Sequence, residues 1–235
     1  GSINRNAQAN VQIDFDRGIT TSAIINGTVT TEDIEVTAAN AIINISGSGS
    51  ISLTDEFRII EDDIVVNNNL TGTFTITDDL LFDQPGDIFS DNGQFVNNQI
   101  LTISSDILVG ANNDDDNIFT NSAGATLNVG AINPNDADFD LLNSGIVNQS
   151  GNFSNIDATD TNFDNLAGGA WNWTLTPNTT FDTDIATVMT CTAVSNTFNY
   201  SGGGAQRIIP IAYNNLTLSN SGAKDANNST AISVS

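Results

Sequence analysis

With 28 acidic residues against five basic ones, the 235-residue chain carries a formal net charge of -23, which repels nucleic acid and anionic membranes and attracts divalent cations. The absence of histidine removes Ser-His-Asp catalysis and His-ligated zinc, and a lone cysteine leaves no internal disulfide. Hydrophobic residues make up 39% of the chain, enough for a core provided that the core is elongated, and no apolar run is long enough to insert directly into a membrane.

The chain opens with Gly1-Ser2, which reads as an expression scar, so residues 3–235 are taken as a single domain excised from a longer or processed protein. Val11-Gln12-Ile13-Asp14-Phe15 alternates apolar with polar and suits a first strand or a cap. Ile24-Ile25-Asn26-Gly27-Thr28-Val29 and Ala41-Ile42-Ile43-Asn44-Ile45 follow, bounded by turn residues, and Gly47-Ser48-Gly49-Ser50 is too short for an interdomain linker. Ile51-Ser52-Leu53 then starts a triplet that recurs as Phe74-Thr75-Ile76, Leu101-Thr102-Ile103 and Leu127-Asn128-Val129, at shifts of 23 (74 minus 51), 27 (101 minus 74) and 26 (127 minus 101). The match between 74–82 and 101–109 is residue for residue, and Ile88-Phe89-Ser90-Asp91 aligns with Ile118-Phe119-Thr120-Asn121 at a shift of 30, which implies three extra residues in the second loop.

A repeat of this size, with short apolar triplets between loops of free length, is the pattern of a solenoid. The triplets favour β-branched and aromatic residues, and Asn and Gly supply the left-handed angles that sharp turns need. The expected fold is all-β, a parallel, right-handed β-helix of roughly nine coils stacked about 4.8 Å apart, a rod on the order of 45 Å long. Acids that precede apolar runs at Asp63, Asp79 and Asp106 are expected to cap turns by accepting backbone N-H bonds.

From 133 to 164 Asp and Asn become dense, while Leu141-Leu142-Asn143 still matches the Ile118 segment. Asp114, Asp115 and Asp116 in one loop, and Asp136, Asp138 and Asp140 along one side of an extended segment, offer the hard oxygens that calcium takes. Neither set is an EF-hand, because counting from Asp136 the sixth place is Leu141 and the twelfth is Val147; the alternative is a solvated acidic turn. Trp171-Asn172-Trp173 puts both indoles on one face of a strand, as a glycan-stacking pair if that face points outward and as core if it points inward. Cys191, beside Val188, Met189 and Val194, reads as a buried and inert thiol.

The C-terminal run Thr197-Phe198-Asn199-Tyr200-Ser201-Gly202-Gly203-Gly204-Ala205-Gln206-Arg207-Ile208-Ile209-Pro210, followed by Tyr213-Asn214-Asn215-Leu216-Thr217-Leu218-Ser219-Asn220-Ser221-Gly222-Ala223-Lys224, resembles a repeat of large secreted and surface-attached Bacteroidetes proteins. Arg207 replaces the usual Thr and Asp225 breaks the ending; together with the preceding coils the similarity covers about residues 50 to 230. The resemblance implies a parallel β-helix in an adhesin-like or stalk-forming protein, secreted or held at the cell surface. The expected role is therefore a non-catalytic structural and adhesive module of a surface filament, stabilised by calcium. Its expected partners are neighbouring repeats of the same chain and surface glycans or other surface proteins.

Rival readings are a carbohydrate-binding or polysaccharide-degrading β-helix and an ice-binding solenoid. Arg5, Arg17, Arg58, Arg207 and Lys224 are scattered along the chain, which argues against a uronate lyase, and Asn128 follows Thr102 where an ice-binding face would repeat Thr. Residues 225–235 make a meagre cap, so a further coil is expected to stack on Leu216 and Leu218.

Overall fold

Strands of three to six residues in which every second side chain is buried cannot close a core alone, so each must stack on its equivalent in the next coil. The computed structural model, which describes residues 12–15, 20–61, 63–82, 92–110, 116–176, 181–226 and 232–234, is a parallel β-solenoid of about eight turns. The first column of strands comprises Thr28–Thr31, Ser50–Leu53, Phe74–Ile76, the front of Ile100–Val109, the front of Thr126–Asn133, Ile146–Gln149, Ala170–Trp173, Thr197–Tyr200 and Leu216–Leu218. The second contains Gln12–Phe15, Asp33–Val36, Phe57–Ile59, Leu80–Phe82 and the rear of the two long strands. The third runs from Thr20–Ile24 through Ile42–Gly47, Val65–Leu70, Gln94–Asn97, Asn117–Asn121, Phe139–Asn143 and Thr161–Asn165 to Met189–Thr190.

The nine strands of the first column enclose eight turns, one fewer than expected. Corners consume the difference: the step from Trp171 to Phe198 takes 27 residues (198 minus 171) and holds the four-residue helix Ile185–Val188. The triplet alignments hold, since Ile51 pairs with Phe74, Phe74 with Leu101 and Leu101 with Leu127. The expected match of 88–91 to 118–121 does not. Ile118 pairs with Gln94 and Phe119 with Phe95, whereas 88–91 lie outside the described residues. The longer connection is therefore the first, 12 residues from Phe82 to Gln94 (94 minus 82) against nine from Val109 to Ile118 (118 minus 109). Register is decided by burial: Phe95 stacks on Phe119 with ring centroids 5.6 Å apart and planes 1° from parallel, and Asn97 bonds Asn121.

That asparagine contact belongs to a ladder inside the solenoid. Asn68, Asn97, Asn121, Asn143 and Asn165 are buried at equivalent positions of the third column, the last four at their strand ends, and the Nδ2 of each of the first four donates to the next Oδ1 at 2.9, 3.0, 2.9 and 2.8 Å. A further amide proton of Asn97, Asn121 and Asn143 goes to the carbonyl of Thr126, Ile146 and Ala170, and Asn165 donates to the carbonyl of Thr197, all at 3.0 to 3.1 Å. Asn97 and Asn143 also accept the backbone N-H two residues on, from Gln99 and Gly145, so all four of their hydrogen-bonding positions are filled. The ladder pins the corner at which the chain passes from the third column back to the first.

The other acids behave as capping residues, with one difference from expectation. Asp106 N-H donates to Asp79 at 2.8 Å and Ala131 N-H to Asp106 at 3.2 Å, so these two form one stack at the corner between the first and second columns. Asp63 is not their equivalent: it lies before the third column, in the left-handed region at φ 55, and accepts from Asn92. At the C-terminal end Leu218 is 49% exposed and Val234 58% exposed, leaving the last rung without apolar cover among the described residues.

Truncation of one buried rung tests the ladder. Asn121→Ala strands the donor of Asn97, the acceptor of Asn143 and the Ile146 carbonyl, and should lower the unfolding free energy in urea by about 2–4 kcal/mol. Asn67→Ala, which removes an outward amide pair with Asn44, should cost no more than about 0.5 kcal/mol.

Candidate functional site

The outward side of the first column is where composition departs most from the rest of the chain. Its segments read TVTT, SISL, FTI, ILTI, TLNV, IVNQ, AWNW, TFNY and LTL, without one Asp, Glu, Lys or Arg, in a protein with 28 acidic residues. Pairing lines up Thr30, Ser52, Thr75, Thr102, Asn128, Asn148, Asn172, Asn199 and Thr217 as one outward row. What looked like an interruption at Asn128 is a continuation in another side chain. Asn128 donates to Thr102 Oγ1 at 3.2 Å, Asn148 to Asn128 and Asn172 to Asn148 at 2.9 Å, and Asn199 to Asn172 at 3.2 Å.

This second ladder is half-exposed. Asn128, Asn148 and Asn172 each spend one N-H and one lone pair along the stack and keep one of each for solvent. Ile100 and Ile146, 52% and 43% exposed, flank the row on the side where the chain enters the strands. A shallow groove of about 280 Å³ opens on the other side, lined by Thr102, Ser104, Asn128, Gly130, Ser150 and Thr174 among others. Gly130 lets the coils approach closely beside it, because a Cβ there would meet the Ser105 carbonyl oxygen at 2.2 Å.

Carboxylates lie instead on the other two columns and at the corners on either side. Between the first and second columns, Asp55, Glu56 and Asp78 bring oxygens within 4.8 Å of one another. Arg58 occupies this cluster as a cation, bonding Glu56 at 2.5 Å and Glu35 at 2.7 Å. Burial, and then the charges of Asp79 and Asp55, raise the Asp78 carboxyl above its usual range, and burial raises Asp106 despite the N-H that Ala131 gives it.

Before the third column stand Asp116, Asp138 and Asp160, one per coil, since Asn117 pairs with Phe139 and Phe139 with Thr161. Burial, a hydrogen bond shared with Asp116, and the charges of Asp116, Asp140 and Asp160 push the Asp138 carboxyl up to about 7. Of the residues suggested as calcium ligands, Asp116, Asp138 and Asp140 are thus neighbours. Asp140 accepts from Asn162 at 2.8 Å, and Asp136 sits apart, exposed, in a left-handed turn at φ 59. Asp114 and Asp115 lie outside the described residues. Among the described residues, the carboxylates that converge as a trio are those around Asp78 and not these.

The tryptophan pair faces inward, which corrects the glycan-stacking alternative. Trp171 and Trp173 are fully buried, with their indole N-H groups bonded to Gln149 Oε1 at 3.0 Å and to the Gly151 carbonyl at 2.8 Å. Both pack on Phe153 and Phe198, so no indole face remains for a sugar. Cys191 is buried, and burial followed by the charge of Asp164 pushes its thiol up to about 12, so it holds no thiolate at neutral pH. Tyr200 and Tyr213, buried with hydroxyls 2.9 Å apart, are occupied by the backbone N-H and carbonyl of Ile209.

The outward ladder has a signal in the sequence: the middle residue of successive triplets is Ser, Thr or Asn wherever the column runs. No family model, curated protein or solved structure matches the chain.

The Asp138 carboxyl yields a pH test. Its folded-state value lies above the ordinary carboxylate value, so the folded protein binds the extra proton between about pH 4 and pH 7, and stability falls as pH rises through that window. Asp138→Asn should raise the melting temperature relative to wild type at about pH 8, with the difference vanishing near pH 4, as read by thermal unfolding across pH.

Proposed function

We propose that this chain is a non-catalytic, exported structural and adhesive module, a length of shaft in a bacterial surface filament. The observation that carries this reading is the continuous parallel stack, in which the first column links every coil from Thr28 to Leu218, the second and third columns add pairing over part of that length, and two asparagine ladders reinforce the register. Such a stack resists bending and grows by adding coils, and the half-covered Leu216 and exposed Leu218 offer the next coil an apolar rung. The charge pattern fits the same role. Acidic corners keep neighbouring rods apart, and one uncharged side is left for contact.

A catalytic role finds little support in the groove. Its lining is hydroxyl, amide, aliphatic and backbone, with no titratable side chain to act as acid, base or nucleophile. Labelling intact producing cells with an antibody against this chain tests the proposal. Signal at the surface before permeabilisation is expected, and signal appearing only after permeabilisation would overturn it.

Calcium belongs to this reading as an ion that screens the acidic corners. Millimolar calcium and magnesium should raise the melting temperature by similar amounts, as read by scanning calorimetry, whereas a response to calcium alone would point to a dedicated centre.

A further inference from the structure

We infer that the uncharged side of the first column binds a neutral, extended polysaccharide laid along the solenoid axis. This rests on the adhesive reading and gives it a ligand class.

The chemistry comes from what the side offers and what surrounds it. Asn128, Asn148 and Asn172 present a free N-H and a free lone pair once per coil, about 4.8 Å apart, held rigid by their bonds to one another. An amide with one donor and one acceptor side by side matches a pair of adjacent sugar hydroxyls, each of which both donates and accepts. The repeat is close to the length of one pyranose residue in an extended chain, so a polymer along the axis meets one amide per sugar over several coils. Ile100 and Ile146, half-exposed beside the row, supply apolar contact for the C-H faces of the rings. The groove beside Gly130 and Thr174 gives the hydroxymethyl or acetamido substituents somewhere to lie.

Charge selects against the alternatives. No cation lies in the first-column strands to hold a uronate, sulfate or phosphate, and the acidic corners at Asp55, Glu56 and Asp78 repel polyanions. Pre-ordered amides lower the entropic cost of engaging a weakly interacting polymer, and many equivalent rungs let modest contacts act together. A lattice of water is the less favoured occupant, because the outward rows change from Thr to Asn and admit Ile100, Ile146 and Ala170, which interrupts a uniform hydroxyl array.

Retention of the purified protein on microcrystalline cellulose and on chitin, against alginate gel, tests the inference. Retention on at least one neutral polymer and none on alginate is expected. Ser150→Arg with Thr174→Arg, which fills the groove, and Asn148→Ala with Asn172→Ala, which removes two amides, should each weaken retention roughly tenfold or more. Ser22→Arg with Thr120→Arg, the same charge change on the third column, should leave retention as in wild type. Melting temperatures report whether each variant folds. Independently of any variant, soluble cellohexaose or chitohexaose should raise the wild-type melting temperature, and oligogalacturonate should not. Failure of both neutral polymers, equal retention on alginate, or folded groove variants that bind like wild type would overturn the inference, as would arrest of ice growth without polymer retention. Surface labelling of cells is scored separately, so loss of the filament reading and loss of the ligand class are distinguishable.

Discussion

A polar residue buried in an apolar core is tolerated only when its hydrogen bonds are all made, and the inner asparagine ladder meets that condition by repetition. Asn97 accepts from the coil before, donates to the coil after, accepts its own backbone two residues on, and donates to the carbonyl that opens the next first-column strand. No rung can shift without orphaning its neighbours, so the ladder fixes register at one corner of every coil from Asn68 to Asn165. It also frees the other two corners. The connections out of the second column vary in length, and insertions there leave the stack undisturbed. Beyond Asn165 the ladder changes form: Asn196 donates to the Asn165 carbonyl and Asn215 to the Asn196 carbonyl at 2.7 Å. Backbone acceptors take over where the side-chain stack ends.

Parallel stacking sets equivalent residues about 4.8 Å apart, which favours like amides and like aromatics but opposes like charges. The chain resolves this by position. Phenylalanines stack inward, Phe95 on Phe119, and asparagines stack both inward and outward, while carboxylates are kept out of the first column and lie at corners or on the outward rows of the other two, as Glu35, Asp140 and Asp164 do. Where three carboxylates still align, at Asp116, Asp138 and Asp160, the middle one retains its proton to about pH 7. Where Glu56 and Glu35 approach, Arg58 lies between them. A net charge of -23 is thereby compatible with one side of the rod that has no charge in its strands.

The same confinement connects fold to function. A rod that presents acid at its corners and an ordered amide and hydroxyl row along one side is suited to contact with something long, neutral and hydroxylated, and unsuited to polyanions. Stiffness contributes as much as chemistry, since each amide is already oriented by its neighbours before any partner arrives.

The sequence by itself determined the coil, because a short alternating triplet between Asn, Asp and Gly turns has few alternatives to a stacked strand. Ile51, Phe74, Leu101 and Leu127 aligned correctly on hydrophobic pattern alone, and the absence of histidine limited the chemistry without reference to any coordinates. Two kinds of decision needed the tertiary structure. The match of Ile118 to Gln94 instead of Ile88 turns on which aromatic lies under Phe119 and which asparagine meets Asn121, contacts between coils that a pattern of apolar letters does not distinguish. Alternation placed Trp171 and Trp173 on a common face, but whether that face met core or solvent depended on which rows the neighbouring coils had turned inward. The uncharged side was hidden for the same reason: its residues lie 18 (217 minus 199) to 27 (102 minus 75) positions apart in the chain, separated by acids, and become one surface only when the corners bring one strand of each coil into a single column.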